Sequence, residues 1–134
     1  MSKNTDALAF AGRCLMAVMF LLSGIGKVAA PTATMAYIAS VGLPLPAAGY
    51  ALSIVIEIGG GILLVLGWQT RALGAFLSLF ALATALIFHR NIADQNQLFH
   101  FLKNIAIMGG MFQLVAFGAG NFSLDARLTR TASS

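Results

Sequence analysis

Long stretches without a charged residue dominate the chain and divide it into apolar segments. The charge-free stretches run 14–26, 28–56, 58–70, 72–89 and 104–124. Because a helix that crosses a bilayer needs about 20 mostly apolar residues, these stretches predict four spanning helices, at roughly 8–28, 47–67, 71–89 and 100–120. The predicted fold class is all-α: a bundle of four transmembrane helices with antiparallel neighbours, forming one integral membrane domain over residues 1–134.

The connection between the first two predicted spans is the longest one. Pro31 ends the first helix, and Pro44 and Pro46 delay the second, because proline is tolerated in the first turn of a helix but not in its interior. Between them the segment Thr32–Val41 is rich in apolar residues. We expect it to form a short helix that lies in the membrane interface rather than a fifth span.

The composition supports a lipid environment and excludes several classes of protein. Of the 134 residues, 59% are hydrophobic and only 9% are charged, whereas an ordinary soluble domain has about 25% charged residues. A soluble globular enzyme and a disordered tail are therefore excluded. The single cysteine, Cys14, cannot form an internal disulfide or a dithiol pair.

The charge distribution bears on orientation rather than on nucleic acid. The net charge is +4, but the eight Lys and Arg residues are scattered, and a nucleic-acid-binding face would need them clustered. Five of them belong to the face that carries both predicted termini, against three on the other face. Because loops rich in Lys and Arg tend to lie on the cytoplasmic side of a membrane, we expect both termini in the cytoplasm.

Each predicted span gathers its ionisable residues on one helical face, which must meet the bundle interior because charge in lipid is costly. Glu57 lies near the middle of its span. Arg13 is about 7–8 Å from it in depth on one side and Lys103 about 10 Å on the other, at 1.5 Å rise per residue. Arginine is the better bidentate partner for a carboxylate. The sequence therefore predicts a buried ion pair between Arg13 and Glu57, with Lys103 as the second choice.

A second polar cluster is predicted in the outer half of the bundle. Lys27, His89, Lys103 and Asn104 come from three spans but fall at similar depth. Two lysines and a histidine repel one another unless something anionic or carbonyl-rich lies between them. Three interpretations stay open: a ligand pocket for a quinone, a lipid headgroup or a small anion; a polar relay; or an ion network that only fixes helix packing.

Other chemistry is disfavoured by the residues present. His89 and His100 lie at similar height, but both are at the rim beside cations, which suits a polar lip better than the axial ligands of a haem. The chain has no P-loop and no HExxH motif. We assign no catalytic residue, no metal site and no demonstrable cofactor.

The chain resembles the DoxX family of small four-helix bacterial membrane proteins over roughly residues 8–120. The resemblance is carried by Arg13, residues 20–27 (FLLSGIGK), 35–44 (MAYIASVGLP), 57–67 (EIGGGILLVLG), Thr70-Arg71 and 101–110 (FLKNIAIMGG). It implies a four-helix bundle in a bacterial inner membrane. Functionally it is a looser guide: the family is named after a small subunit of a thiosulfate:quinone oxidoreductase, and other members resemble partners in membrane redox complexes.

Three functions follow as expectations. The first is an accessory subunit of a quinone-linked or oxidative-stress-related membrane redox system, because one cysteine and no clear cofactor ligand argue against a self-contained redox enzyme. The alternative is a non-catalytic assembly or anchoring factor. A small-molecule permease is third, since four short helices without a convincing repeat offer little for alternating access. The lipid bilayer is the expected partner, with another membrane protein or a homo-oligomer left open.

Overall fold

The computed structural model describes residues 2–133, and this range is helical without strands. Four of its helices are long and apolar enough to cross a membrane, which confirms the predicted number of spans. The helices are α1 (Lys3–Ala29), α2 (Pro31–Ser40), α3 (Pro46–Leu66), α4 (Thr70–Phe88), α5 (Gln95–Phe117) and α6 (Leu124–Ala132).

The observed helix bounds follow the predicted spans closely in the middle of the chain and less closely at its ends. α3 and α4 lie within one residue of the predicted 47–67 and 71–89. α5 begins at Gln95, ahead of the predicted position 100, because Asp94 caps it: its carboxylate accepts from the Gln97 amide at 2.9 Å. A carboxylate in this position satisfies an amide that the first turn leaves unpaired. The added turn is polar, so hydropathy alone did not detect it.

α3 widens in its centre. Residues Val55–Gly59 form a π-helical segment within the otherwise α-helical span, and Glu57 lies inside it. Such single π turns are rare and frequently occur at functional sites. The sequence pattern predicted an uninterrupted α-helix here.

The spans approach one another closely where glycine replaces a side chain. α1 packs on α3, and α4 packs on α5. A methyl group added at Gly24 would lie 2.6 Å from Ile58 Cγ1, and one at Gly61 would lie 2.7 Å from Leu21 Cγ. Small residues at helix interfaces in membranes permit this approach. The buried core beside these contacts consists of Ala17, Phe20, Leu64, Leu77, Met111 and Leu114.

Hydrogen bonds tie the segment after α5 to one end of the bundle, which we call the terminal end. Asp6, near the start of α1, accepts from the Asn121 amide at 3.1 Å and from its side chain at 3.0 Å. The Asp125 amide donates to the Gly67 carbonyl, which follows α3, at 2.9 Å. The beginning of α1 and the whole of α6 therefore lie together at the terminal end. The sequence analysis did not predict α6.

The opposite end of the bundle, which we call the α2 end, is covered by the short helix. The Tyr37 hydroxyl donates to the Phe88 carbonyl at the end of α4 at 3.1 Å, and the two rings are in contact. Ile38 is buried and faces Gly49 of α3. A helix in this connection was predicted, and its location in the membrane interface stays a prediction.

Candidate ligand-binding site

A cavity of about 360 Å³ lies towards the α2 end of the bundle. α1, α2, α3, α4 and α5 all contribute side chains to its wall, which is mainly apolar with a polar portion. The four residues of the predicted outer cluster all line it: Lys27, His89, Lys103 and Asn104. Side chains from three separate spans therefore lie around one cavity. That these residues bind a ligand stays a prediction.

Glu57 is ion-paired with Lys27 in the polar wall of this cavity. Lys27 Nζ lies 2.8 Å from Oε1 and 2.7 Å from Oε2 of the carboxylate. Ser23, one turn before Lys27 on α1, accepts from Lys27 Nζ at 3.0 Å and donates to Glu57 Oε1 at 3.1 Å. The Glu57 side chain is 8% exposed and that of Lys27 is 25% exposed. Of the three residues Glu57 is buried and Ser23 is exposed, and together their side chains carry no net charge.

The predicted pair between Arg13 and Glu57 is contradicted by the structure. The Arg13 guanidinium turns towards the terminal end, where it donates to the carbonyls of Leu64 at 2.9 Å, Val65 at 3.3 Å and Phe122. The last carbonyls of a helix lack partners within that helix, so the end of α3 offers a buried cation several acceptors. Lys103, the second choice, is not paired with Glu57 either.

The close approach of α1 to α3 explains why Lys27 takes the carboxylate. A methyl group at Gly24 would lie 3.3 Å from Glu57 Cβ, so the two backbones are nearly in contact at this level. Lys27 follows three residues later, on the same helical face. The sequence-based estimate compared only the depths of the charged residues in the bilayer and treated all helices as equally spaced. It therefore did not include the lateral distance between α1 and α3, which decides the partner.

Lys103 belongs to a second polar group in the same wall. Its Nζ lies 3.3 Å from His100 Nδ1, and the His100 ring stacks on the His89 ring with centroids 4.9 Å apart. His89 Nδ1 is 2.9 Å from Gln97 Oε1. Beside this group, the Asn104 amide donates to Thr84 Oγ1 at 2.9 Å. The imidazoles thus connect the cavity to the polar first turns of α5.

Sequence reasoning missed several residues that complete the cavity. Ser23 and Thr84 carry the hydroxyls that hold Glu57 and Asn104, and Tyr37 contributes to the wall from α2. Ser23 could have been found, since it lies four residues before Lys27 on the same face of α1. No comparable signal marks Tyr37, because its role depends on where α2 packs.

The cavity wall can hold a ligand with a polar head and an apolar body. Lys103 and Asn104 present N–H donors, and apolar side chains from α2, α3 and α4 line the remainder. Among residues 2–133 no three His, Cys, Asp or Glu side chains gather in a group able to hold a metal ion. The fold and the cavity together define a small multi-pass membrane protein with a polar cluster inside its helix bundle.

The chain belongs to the DoxX family, whose family model matches residues 8–90. It is 35% identical over 132 residues to the Inner membrane protein YqjF of Escherichia coli (strain K12), covering 97% of this chain and 98% of that protein. It is 32% identical over 125 residues to Inner membrane protein YphA of the same organism, covering 90% and 89% of the two chains. No solved structure matches it. With four apolar helices, the chain is a multi-pass inner membrane protein.

Proposed function

We propose that this DoxX-family protein is an accessory subunit of a quinone-linked or oxidative-stress-related membrane redox system, and that its cavity binds the quinone. The observation that carries the proposal is the cavity of about 360 Å³, in which polar donors occupy one part of an otherwise apolar wall. Its volume falls within the range of about 300–1,000 Å³ that is usual for small-molecule sites.

The chemistry of the wall matches a quinone head group. A quinone presents carbonyl oxygens, which only accept hydrogen bonds, and Lys103 and Asn104 offer donors to them. Its ring would lie among apolar side chains such as Ile56, Phe80 and Phe88. An apolar tail would extend from the cavity into the lipid. A lipid headgroup or a small anion would use the same donors.

The proposed role is that of a subunit because the chain offers few groups for redox chemistry of its own. Its one cysteine cannot form a dithiol pair. The polar groups of the cavity bind and orient a head group, and a partner membrane protein would carry the electron transfer. The alternative is an assembly or anchoring factor whose cavity holds only lipid.

The proposal is tested by mass spectrometry of the protein extracted with its own membrane lipids. We expect the wild type to retain a quinone in about one-to-one ratio and the variant Lys103→Met to lose it while keeping its helical content. Lys3→Met, which removes an exposed lysine at the other end of α1, is the matched control and should retain the quinone. Wild-type protein that retains only phospholipid would contradict the quinone role and favour the assembly factor.

We also propose that both termini lie in the cytoplasm. Five of eight Lys and Arg residues, including Arg71, Arg127 and Arg130, belong to the terminal end, and an excess of positive charge favours the cytoplasmic side. The cavity would then open towards the outer half of the bilayer. Reporter fusions after Ser134 should be active only when the reporter functions in the cytoplasm; a fusion active only in the periplasm would reverse the orientation.

A further inference from the structure

The two lysines of the cavity differ in how many of their hydrogen-bonding groups are already used. A lysine ammonium has three N–H donors. Those of Lys27 meet three acceptors, namely Ser23 Oγ at 3.0 Å and the two Glu57 oxygens at 2.8 and 2.7 Å. Lys27 therefore has no donor left for a ligand, and its charge is balanced by Glu57. Although Lys27 lines the cavity, its role is to hold Glu57.

Lys103 has neither its charge balanced nor its donors filled. Within residues 2–133 no carboxylate lies within 4.0 Å of its Nζ, and its side-chain contact is with His100 Nδ1 at 3.3 Å. An imidazole is either neutral or positively charged, so His100 offers Lys103 no opposite charge. Lys103 lies eight residues into α5, whose first turn is polar, and it is an exposed residue in the wall of the cavity.

An unpaired cation at the exposed edge of a mainly apolar cavity favours an anionic ligand. Charged groups inside a membrane are costly unless an opposite charge accompanies them. One unbalanced lysine offsets one negative charge. The volume of about 360 Å³ corresponds to roughly a dozen water-sized groups at about 30 Å³ each, which is enough for a bicyclic ring or one short chain.

We infer that the cavity binds an amphiphile with a single anionic oxygen group on one apolar body, and that Lys103 pairs with that oxygen. A fatty-acid carboxylate and an ionised hydroxyquinone both have this chemistry. The inference rests on the proposed function, because it concerns the same cavity, and it specifies the charge of the ligand that the cavity prefers.

Two matched pairs of ligands test the charge and distinguish its source. The first pair is dodecanoate and dodecanol; the second is an alkyl hydroxynaphthoquinone, which is ionised at neutral pH, and its uncharged methoxy ether. Binding to the full-length protein in phosphatidylcholine nanodiscs is measured for each, corrected for partitioning into protein-free nanodiscs. The pair with the tighter-binding anion identifies whether a fatty acid or a hydroxyquinone is the better source.

We expect the wild type to bind the anion of at least one pair about 10- to 100-fold more tightly than its neutral partner, as for a hydrogen bond to a charged group. Lys103→Met should abolish this preference, Lys103→Arg should keep it, and the control Lys3→Met should not change it. If Lys103→Met does not fold, the affinities of the wild type for the anionic and the neutral ligand of each pair still test whether the cavity prefers an anion.

The outcomes separate the inference from the function on which it rests. Equal affinity for the charged and neutral members, or a preference that survives in Lys103→Met, overturns the inference and leaves a quinone-binding cavity in place. If neither member of either pair binds to the wild type, the ligand-binding function itself fails, and the inference fails with it.

Discussion

Two of the three cations of α1 show how a charge inside the bundle is satisfied in two different ways. Lys27 meets a carboxylate, and Arg13 meets backbone carbonyls at the end of α3. Arg71 acts similarly at the end of α5, where it donates to the carbonyls of Val115 and Ala116. A guanidinium has five N–H donors in a fixed plane and suits several carbonyls at once, whereas an ammonium is a compact charge.

A double-mutant cycle on Lys27 and Glu57 tests the observed ion pair. We expect Glu57→Gln to lower the free energy of unfolding by about 3 kcal/mol, at the lower end for one lost partner of a buried pair, because a quarter of Lys27 is exposed. Lys27→Met combined with Glu57→Gln should cost less than the sum. The same cycle on Arg13 and Glu57 is the control and should give almost no coupling; strong coupling there would contradict the observed partners.

Replacing Arg13 tests its role as a cap that also holds the segment after α5. Arg13→Lys keeps the charge but cannot reach the carbonyls of Leu64, Val65 and Phe122 together. We expect about 1.5–3 kcal/mol of lost stability per charged hydrogen bond that is not replaced. Limited proteolysis should cleave the segment near Phe122 faster than in the wild type. An unchanged cleavage rate would show that other contacts hold this segment.

At the scale of helices, the distance between α1 and α3 decides the site. That distance is short because Gly24 and Gly61 have no side chain, and it brings Lys27 to Glu57. The π turn at Val55–Gly59 lies in the same contact region and carries Glu57. The polar chemistry of the cavity therefore depends on two glycines that carry no polar group.

Glycine-to-alanine substitutions in α1 separate close approach from helix propensity. Gly24→Ala should destabilise by about 1–3 kcal/mol, as overpacking does, because the added methyl meets Ile58 Cγ1 at 2.6 Å. Gly26, two residues away on the same helix, has nothing within 4 Å of that position. Gly26→Ala should therefore be neutral or stabilising by up to about 1 kcal/mol. Thermal unfolding in one detergent compares them, and equal losses would contradict the close contact.

At the scale of the whole molecule, α6 joins the two halves of the bundle at the terminal end. The Asp125 carboxylate accepts from the amides of Gln69 at 2.7 Å and Thr70 at 2.9 Å, at the start of α4. Partial burial alone would raise the pKa of Asp125, but the hydrogen bonds from these residues and the positive charge of Arg13 lower it below its ordinary value of 3.8.

This lowered pKa predicts how acid affects α6. A carboxylate with a depressed pKa in the folded state contributes stability above its unfolded pKa of about 3.9, and this contribution is lost as the pH falls through the folded value. We expect the amides of α6 to exchange hydrogen faster, beyond the intrinsic pH effect, only below about pH 4. Asp125→Asn should show faster exchange already at neutral pH, whereas the control Asp94→Asn, at the α2 end, should leave α6 unchanged.

The sequence by itself determined the four spans and the helical faces that bury Arg13, Glu57 and Asn104. Both follow from local properties: apolar length sets the spans, and the helical period puts His100 and Asn104, four residues apart, on one face. It also predicted which four side chains, from three spans, line one cavity. Depth and face are set by each helix alone.

Only the tertiary structure decided which charges meet. A side chain such as that of Arg13 or Lys27 reaches several ångströms in either direction, so its partner depends on the distance between helices, and Gly24 sets that distance at Glu57. The position of α6 was equally undetermined, because Asp125 holds it through amides more than fifty residues away in the chain. Hydropathy describes how well a single segment suits the lipid. Which charged side chains pair depends on the distance between two segments, and the hydropathy of either segment does not contain that distance.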